Sequence, residues 1–314
     1  MDGIVHYLNR SMRFGAIDIG SNAARLLVKD LSVQDGKIAQ QKISFIRVPL
    51  RLGEDVFEDG LVSDQKAESL VKTMKAFRYL IEAQDISWFR ACATSSLREA
   101  KNGGELVDRI EKEALIRIDR ISGAEEAELI FRNFQHHVPT KQEDLLYIDV
   151  GGGSTELTLI RGGKKIRSQS FQLGTVRALK GRIPDGEWDA VAQFVKHIRE
   201  DKGELVAVGT GGNINRYHRL SRCGRKEAIS LDTLIDWHHL IDECPLVNRM
   251  KTFELKPDRA DVIVPAGDIY IRTMQLARCS EIRVPKVGLS DGMIIGLWDA
   301  FLADQHARQV SLGS

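Results

Sequence analysis

Two glycine-rich turns, far apart in the chain, carry the residue types that bind phosphate. The first reads Asp18-Ile-Gly-Ser-Asn22 and the second reads Asp149-Val-Gly-Gly-Gly-Ser-Thr-Glu156. Glycine lets backbone N–H groups approach an anion closely, and hydroxyl and amide side chains add further donors. Carboxylate oxygens are the ligands that Mg²⁺ accepts when it bridges to phosphate. Each turn lies between two apolar runs, as in an ordinary hairpin, but the repeated Asp-x-Gly core favours phosphate binding.

Two further segments could complete a phosphate site. Gly209-Thr-Gly-Gly-Asn213 follows a predicted strand and opens a predicted helix, so its N–H groups would face an anion. Thr94-Ser-Ser-Leu-Arg98 lies at the carboxyl end of another predicted strand, where α/β proteins place ligand contacts, and Arg98 could bind phosphate through two N–H groups. The candidate phosphate-binding residues are Gly20, Ser21, Asn22, Ser96, Arg98, Gly151, Gly152, Gly153, Ser154, Thr155, Gly211 and Gly212.

The segment Ser122-Gly-Ala-Glu125-Glu126 supplies a candidate catalytic base. The spacing of Ser122 and Glu125 predicts a capping box, in which the Glu125 carboxylate returns to the Ser122 N–H. Glu126 has no such duty, and a helix N-terminus favours its ionised form. An ionised carboxylate beside a phosphate site is suited to activating water. Two solvated glutamates at a helix start are the alternative interpretation.

Other charged groups are less informative. Arg216, Arg219 and Arg222 are spaced at i, i+3 and could follow a polyanion, although a solvated helix face is the favoured interpretation. The pairs His136-His137 and His238-His239 have no matching ligand set, so we predict surface histidines.

Composition excludes several classes of protein. The 314 residues carry a net charge of +1, which gives no polycationic field for nucleic acid or a membrane surface. The four cysteines show no metal-ligand spacing and are predicted to be reduced thiols. The N-terminus lacks the features of a signal peptide, and no apolar run has the length of a membrane span. We therefore expect a cytoplasmic protein with no nucleic-acid or membrane partner.

The order of predicted elements repeats along the chain. A β-β-β-α-β-α pattern runs through the first half and recurs after Pro139, which indicates an α/β protein with an internal duplication. The predicted domains are residues 13–138, with the first phosphate turn and Glu126, and residues 139–304, with the second phosphate turn. Added helices are predicted at 231–253 and 260–278, followed by a strand at 281–287 and a closing helix.

Taken together, these segments resemble one known family. The chain is similar to the exopolyphosphatase/guanosine pentaphosphate phosphohydrolase family over about residues 13–300. The resemblance rests on Ala16-Ile-Asp-Ile-Gly-Ser-Asn22, Arg51-Leu-Gly53, Ala93-Thr-Ser-Ser-Leu-Arg98, Ile121-Ser-Gly-Ala-Glu-Glu-Ala127, Ile148-Asp-Val-Gly-Gly-Gly-Ser-Thr-Glu156 and Gly209-Thr-Gly-Gly212. It implies two actin-like (ribonuclease H-like) domains with a cleft between them. It also implies that Glu126 is the base and that Asp149 and Glu156 are linked to Mg²⁺.

Three positions depart from the pattern of that family. Ala23 stands where a serine usually continues the first turn, and Asn213 stands where a threonine usually continues the third. Near the C-terminus the family tends to read Gly-Leu-Arg-Glu-Gly, whereas 291–296 here contains neither arginine nor glutamate. These departures bear on turnover and substrate choice more than on the fold.

The sequence therefore predicts a Mg²⁺-dependent phosphoanhydride hydrolase. It would release terminal phosphate from inorganic polyphosphate or guanosine pentaphosphate, with a homodimer as the expected assembly. The alternatives are a catalytically weak binding protein for a phosphorylated ligand and an ATP-dependent kinase of the same superfold.

Overall fold

The computed structural model describes residues 11–34, 37–137, 143–199, 205–224, 227–285 and 287–312. In this part the chain forms two β-sheets with helices packed around them. The strands are β1 Met12–Ile19, β2 Ala23–Gln34, β3 Lys37–Pro49, β4 Trp88–Ala93, β5 Ile118–Arg120, β6 Asp144–Val150, β7 Thr155–Arg161, β8 Lys164–Phe171, β9 Leu205–Thr210, β10 Ile229–Ser230 and β11 Glu281–Arg283. The helices are α1 Leu52–Asp59, α2 Asp64–Ala83, α3 Ser95–Glu99, α4 Gly103–Ala114, α5 Gly123–His137, α6 Thr175–Leu179, α7 Glu187–Arg199, α8 Ile214–Leu220, α9 Leu231–Glu243, α10 Leu246–Thr252, α11 Pro257–Ala260, α12 Ile263–Ala277 and α13 Leu289–Leu312.

The two sheets share one topology. The strand order is β3-β2-β1-β4-β5 in the first sheet and β8-β7-β6-β9-β11 in the second, with β10 added at the far edge. In each sheet the first three strands pair antiparallel, and the fourth pairs parallel to the first. The predicted duplication is therefore confirmed. Each sheet brings the carboxyl ends of its central strands to one edge, where ligand contacts are usually built.

Helices cover both faces of the first sheet. Successive side chains of a strand point to opposite faces, so β1 contributes to two cores. Ile17 and Ile19 belong to a core cluster that includes buried residues of α2. Phe14 points to the other face, where it meets Trp298 and Phe301 of α13 edge to face, with ring centroids 5.7 and 6.0 Å away.

Helix α13 joins the two halves of the molecule. It follows the second sheet in the chain, yet it packs on the first sheet and along α5. Leu145 and Tyr147 of β6 belong to the same buried cluster as Trp298 of α13 and Phe14 of β1. The core between the sheets therefore fixes α5, which carries Glu126, relative to both glycine-rich turns.

Several elements differ from the sequence prediction. The helix predicted at 231–253 is two helices, because Pro245 has no N–H to donate and holds Cys244 in an extended conformation. The strand predicted at 281–287 ends at Arg283. Helix α1 was not predicted; it begins after Arg51, whose φ of 51° is left-handed. The predicted domain boundary at Pro139 lies outside the described residues.

Two compositional predictions can be compared with the structure. Cys92, Cys223, Cys244 and Cys279 are all free, as predicted. In the described part of the chain, no helix combines the length and the apolar character that crossing a membrane requires.

The packing of α13 on α5 predicts unequal effects of two glycine substitutions. A Cβ at Gly292 would lie 1.9 Å from the Leu129 carbonyl oxygen, whereas at Gly296 the nearest atom would be an Arg132 nitrogen at 3.7 Å. Gly292→Ala should therefore lower the free energy of unfolding by about 1–3 kcal/mol or more, because the helices must separate. Gly296→Ala is the matched control and should be neutral or stabilising by up to about 1 kcal/mol. Urea unfolding measures both, and equal destabilisation would contradict the described packing.

Candidate active site

The first and second glycine-rich turns lie directly against each other. Gly152 packs on the first turn so closely that a Cβ there would lie 2.8 Å from Cβ of Ser21. Gly153 packs in the same way on Ser95 at the start of α3. The Ser21 and Ser95 hydroxyls are 2.9 Å apart and buried. Only glycine fits at positions 152 and 153, so the turns of both sheets and the start of α3 meet at one place.

The carbonyls of the second turn point away from that junction. Thr175 and Val176 N–H groups at the start of α6 donate to Gly151 and Gly152 carbonyls, at 3.0 and 2.8 Å. The Arg177 side chain donates to the Gly153 carbonyl at 2.9 Å. No described residue accepts a hydrogen bond from the Gly152 or Gly153 N–H. These donors are therefore available to an anion, in agreement with the chemistry expected of the turn.

Hydroxyl groups predicted to bind phosphate are largely engaged with the protein itself. Ser154 donates to the Glu156 carboxylate at 2.8 Å, and Thr155 donates to the Leu173 carbonyl. Ser96 is fully buried and its hydroxyl has no described partner. The Asn22 amide donates to the Asp258 carbonyl at 3.0 Å, while its buried Oδ1 is unpartnered among the described residues. The structure thus gives the glycine N–H groups, rather than these side chains, the open donor positions.

Four carboxylates from both sheets and α5 form the charged centre of the site. Asp18 is the penultimate residue of β1, Asp149 and Glu156 face each other across the β6–β7 hairpin, and Glu126 comes from α5. Burial raises the pKa of Glu156 to about 7, and the charge of Asp149 adds to the rise. Burial also raises the pKa of Asp149, partly offset by the hydrogen bond that Thr210 donates at 2.9 Å. Anionic repulsion in a buried site is the common cause.

Glu126 is the carboxylate with an unused oxygen. It is 9% exposed, and its Oε2 has no hydrogen-bond partner among the described residues. Burial raises the pKa of Glu126 well above its usual range, and the charges of Glu156, Asp149 and Asp18 raise it further. Its neighbour Glu125 makes the predicted capping box: Ser122 N donates to it at 2.8 Å, and Glu125 N donates to the Ser122 hydroxyl at 3.2 Å. The predicted capping box is confirmed.

Two guanidinium groups offset part of this negative charge. Arg25 pairs with Asp18 across the β1–β2 hairpin, and the charge of Asp18 is the main reason that its pKa is raised. Arg98 donates to the Ile121 carbonyl at 2.8 Å and its charge lowers the pKa of Glu126. Four carboxylates therefore face two described guanidinium groups. The site has an excess of negative charge that a cation could offset.

The residues fit a magnesium ion that is shared with a substrate. In the described part of the chain, no three His, Cys, Asp or Glu side chains converge closely enough to enclose a metal by themselves. Mg²⁺ needs no such cage, because it commonly takes one or two carboxylates and completes its shell with water and phosphate oxygens. Asp149 and Glu156, predicted from the sequence as metal ligands, supply carboxylate oxygens of that kind; Glu156 is buried and Asp149 is partly exposed.

The third turn adds a basic patch that the sequence analysis missed. Gly211 has a φ of 114°, accessible to glycine, and lies beside Asp149. Arg259 passes so close to Gly212 that a Cβ there would meet its guanidinium at 2.4 Å, and it donates to the Gly212 carbonyl at 3.0 Å. Burial and the charges of Arg47, Arg25 and Arg219 lower the pKa of Arg259 to about 10. This mutual repulsion among arginines marks a place suited to a polyanion.

The missed residues differ in how they could have been found. Arg25 lies opposite Asp18 in the hairpin register, so alternation along the two strands would have indicated the pair. Arg259 is 47 positions from Gly212, and no local pattern links them. Ser170, which donates to Glu156 at 2.8 Å, reaches the site only through the β7–β8 pairing.

Two interpretations of charged groups are corrected by the structure. Arg216 is buried and donates to the Phe253 carbonyl, so Arg216, Arg219 and Arg222 do not form one solvated face. His238 is not a surface residue: it is 8% exposed, with the Tyr217 hydroxyl at 3.2 Å and the Asp268 carboxylate at 3.0 Å. His239 is exposed as predicted, and the side chains of His136 and His137 lie outside the described residues.

The segment that corresponds to the family's Gly-Leu-Arg-Glu-Gly begins three residues before 291. Gly288-Leu-Ser-Asp-Gly292 has the glycine spacing of Gly-Leu-Arg-Glu-Gly, so Ser290 and Asp291 occupy the Arg and Glu positions. Asp291 pairs with Lys29 of β2 at 2.6 Å and accepts from the Gly288 N–H at the start of α13. A carboxylate is thus retained at this position, where it links α13 to the first sheet.

Comparison with known proteins agrees with the fold. The Ppx/GppA phosphatase family matches residues 32–301, and the chain belongs to that family. Exopolyphosphatase 1 of Mycobacterium leprae is 29% identical over 313 residues, covering 92% of this chain and 90% of that protein. Exopolyphosphatase 1 of Mycobacterium tuberculosis is 24% identical over 309 residues, covering 92% and 89%.

Solved structures show the same fold. An exopolyphosphatase from Cytophaga hutchinsonii superposes with a TM-score of 0.80 at 23% identity, over 92% of this chain and 98% of the other. The Ppx/GppA family member of Aquifex aeolicus gives a TM-score of 0.72 at 24% identity, over 93% and 98%. The chain therefore has the actin-like two-domain fold that the sequence predicted, and it is a phosphate-releasing hydrolase by family.

The raised pKa of Glu156 predicts a pH-dependent loss of stability. Below about pH 4.5 the carboxyl is protonated in both the folded and the unfolded chain. As the pH rises to about 7, the unfolded chain loses this proton while the folded chain keeps it, so the free energy of unfolding falls. Glu156→Gln retains an acceptor for Ser154 and Ser170 but cannot ionise. Measured by urea unfolding in a chelator, this variant should show a smaller fall between pH 4.5 and 8.

Glu125→Gln is the control for that experiment, because its pKa is lowered by the Ser122 hydrogen bonds. Its carboxylate stabilises the fold above the ordinary pKa, and the contribution disappears as the pH falls. The difference between this variant and the wild type should therefore shrink toward acid pH. Parallel stability curves for Glu156→Gln and wild type would show that Glu156 is not buried against other carboxylates.

Proposed function

We propose that the protein is a Mg²⁺-dependent phosphoanhydride hydrolase that releases terminal phosphate from inorganic polyphosphate or guanosine pentaphosphate. The observation that carries this proposal is the buried and unpartnered Oε2 of Glu126, held among Asp18, Asp149 and Glu156 at the junction of the two sheets. A buried carboxylate without a partner is costly, and such groups concentrate at catalytic sites.

Glu126 has the properties of a general base for water. Because its pKa is raised, the ionised Glu126 carboxylate binds a proton more strongly than an ordinary glutamate does. Ser122 and Glu125 hold the start of α5 in place through the capping box, so the Glu126 carboxylate is not needed for capping. In this proposal Glu126 Oε2 accepts a proton from the water that attacks the terminal phosphorus in line with the leaving oxygen.

Other groups would bind and orient the substrate. The Gly152 and Gly153 N–H groups are donors without a described acceptor, and they lie at the contact between the two turns. Asp149 and Glu156 would hold Mg²⁺ together with phosphate oxygens. When bound, the ion supplies positive charge that neutralises the phosphate oxygens and favours the ionised carboxylates.

A substrate of linked phosphates also suits the basic patch. The positive charges of Arg25 and Arg47 both lower the pKa of Arg259, so the three guanidinium groups lie close enough to repel one another. Asp18 and Asp258 already pair with Arg25 and Arg47, whereas Arg259 has no described carboxylate partner and could contact a phosphate of a linked chain. The relatives named as exopolyphosphatases support inorganic polyphosphate, and guanosine pentaphosphate presents the same phosphoanhydride chemistry.

Phosphate release by matched glutamate variants tests the proposal. Purified protein should release phosphate from polyphosphate or guanosine pentaphosphate in the presence of Mg²⁺, without an added acceptor. Glu126→Gln should lower the rate by about 10²–10⁴-fold with little change in KM, because the amide cannot take the proton. Glu125→Gln is the control and should retain most activity, since glutamine also serves in a capping box.

The competing functions give distinct results in the same assay. ATP turnover that requires an added acceptor would indicate a kinase, and tight binding without phosphate release would indicate a binding protein. If Glu125→Gln abolishes release and Glu126→Gln does not, the roles assigned to the two glutamates are reversed.

The basic patch predicts a charge-dependent loss of affinity. Arg259→Ala removes a guanidinium that has no described carboxylate partner, so KM should rise while kcat changes little. The rise should be larger for polyphosphate than for pyrophosphate, and the KM of the wild type should depend more steeply on salt than that of the variant. Arg272→Ala, which removes a guanidinium stacked 4.1 Å from Trp188, is the control. Equal KM values in Arg259→Ala and wild type would exclude this patch from substrate binding.

A further inference from the structure

A chain of hydroxyl groups stands behind Asp149 in the core of the second sheet. The Thr210 hydroxyl donates to Asp149 Oδ1 at 2.9 Å. The Tyr147 hydroxyl is in hydrogen-bond contact with the Thr210 hydroxyl. Tyr147 is 3% exposed and Thr210 is fully buried, so bulk water does not compete for the hydrogen bond between their hydroxyls. The three side chains form the Tyr147–Thr210–Asp149 chain.

The direction of the hydrogen bonds in this chain is fixed by elementary chemistry. An ionised carboxylate accepts and does not donate, and a threonine hydroxyl has a single proton. Because Thr210 donates that proton to Asp149, it must accept from Tyr147. Each hydroxyl therefore points its dipole toward Asp149, and hydrogen bonds aligned in this way strengthen one another.

Strand geometry places the three residues on one face of the sheet. Tyr147 and Asp149 are alternate residues of β6, and Asp149 lies opposite Thr210 in the parallel pairing with β9. The space that Tyr147 shares with Ala127 and Phe131 of α5 has no room for a water molecule. The Tyr147 ring thereby lies between the sheet and α5, in a space that water does not enter.

The hydrogen bonds of the Tyr147–Thr210–Asp149 chain leave one oxygen of Asp149 for other partners. The hydrogen bond from Thr210 reaches Oδ1, and the Asp149 residue is partly exposed. A carboxylate that rotated freely would offer its two oxygens alternately. With Oδ1 held by Thr210, Oδ2 is the oxygen left for other partners.

We propose that Tyr147 and Thr210 are positioning residues that orient Asp149 so that Oδ2 is presented to the divalent cation. The inference rests on the proposed function in so far as that function assigns the cation to Asp149. It is separate from that function because it names two residues that are not metal ligands, Tyr147 of β6 and Thr210 of the third glycine-rich turn, as residues that set the affinity for the ion. Partners behind a metal ligand fix its orientation, and their loss typically weakens metal binding by about 10–100-fold.

The test measures cation affinity directly rather than activity alone. Mn²⁺ binding to the full chain is followed by the loss of the free-ion electron paramagnetic resonance signal, with imidodiphosphate present as a non-hydrolysed phosphate ligand and Mg²⁺ as competitor. Thr210→Val keeps the shape of the side chain and removes its hydroxyl, so it should weaken Mn²⁺ binding by about 10–100-fold. Thr210→Ser keeps the hydroxyl and should bind within about 3-fold of the wild type.

Tyr147→Phe examines the next step of the chain. It should weaken Mn²⁺ binding by less than Thr210→Val, within about 10-fold, because the lost hydrogen bond is one step further from the carboxylate. In phosphate release, the Mg²⁺ concentration for half-maximal rate should rise in both variants, while kcat at saturating Mg²⁺ stays near that of the wild type. Tyr217→Phe is the control: it also removes a buried hydroxyl with hydrogen-bond partners, but those partners are Ile263 and His238.

The outcomes separate this inference from the proposed function. Asp149→Asn is the reference for a lost ligand. If it weakens Mn²⁺ binding while Thr210→Val and Tyr147→Phe bind like the wild type, the positioning role is overturned and the metal assignment stands. If Thr210→Val and Tyr217→Phe lose thermal stability alike with unchanged Mn²⁺ affinity, the hydroxyl is merely structural. If Asp149→Asn itself binds Mn²⁺ normally, both the metal assignment and the inference fail, and the glutamate variants still decide whether the chain is a hydrolase.

Discussion

Repulsion among four carboxylates at the junction of the two sheets is the constraint on which the rest of the structure depends. Each of Asp149, Glu156 and Glu126 has a raised pKa because burial removes water and the neighbouring charges are of the same sign. Such a cluster opposes folding, and it persists only where the surrounding packing holds it together. In the proposed function, the same unfavourable charge would favour the binding of a cation and of a proton.

The packing that holds the cluster together comes from elements shared by both sheets. Helix α13 crosses from the second half to the first, and its contact with α5 is close enough to require Gly292. Ion pairs link the halves on two sides of the site: Arg177 to Glu99 at 2.7 Å and Arg51 to Asp261 at 2.5 Å. Arg177 also stacks on Phe57 and donates to Gly153, so the second turn is fixed from behind. Rigid support of this kind keeps the carboxylates and the glycine N–H groups in register.

The hydrogen bonds inside the site divide the carboxylates by role. Ser154 and Ser170 both donate to one oxygen of Glu156, and Thr210 donates to one oxygen of Asp149. These donors stabilise the ionised forms and leave one oxygen of each group for other partners. Glu126 receives no such donor on Oε2, which keeps its affinity for a proton high. This difference is the reason that we propose Asp149 and Glu156 as metal ligands and Glu126 as the base.

The sequence by itself determined the features that depend on local pattern. Alternation along strands, the spacing of Ser122 and Glu125 and the repeated Asp-x-Gly turns predicted the duplicated sheets, the capping box and the chemistry of the turns, because each arises from neighbours along the chain.

Only the tertiary structure decided which side chains reach the site from elsewhere. Arg259, Ser170 and the Tyr147–Thr210 contact are set by strand pairing and by helix packing over long separations, and His238 is buried by the helices around it. Ser154 and Thr155 were expected to face phosphate, yet their hydroxyls satisfy a carboxylate and a carbonyl that only the folded chain brings near them. Local sequence can name the donors and acceptors, but the pairing among them follows from three-dimensional proximity, which one sequence does not contain.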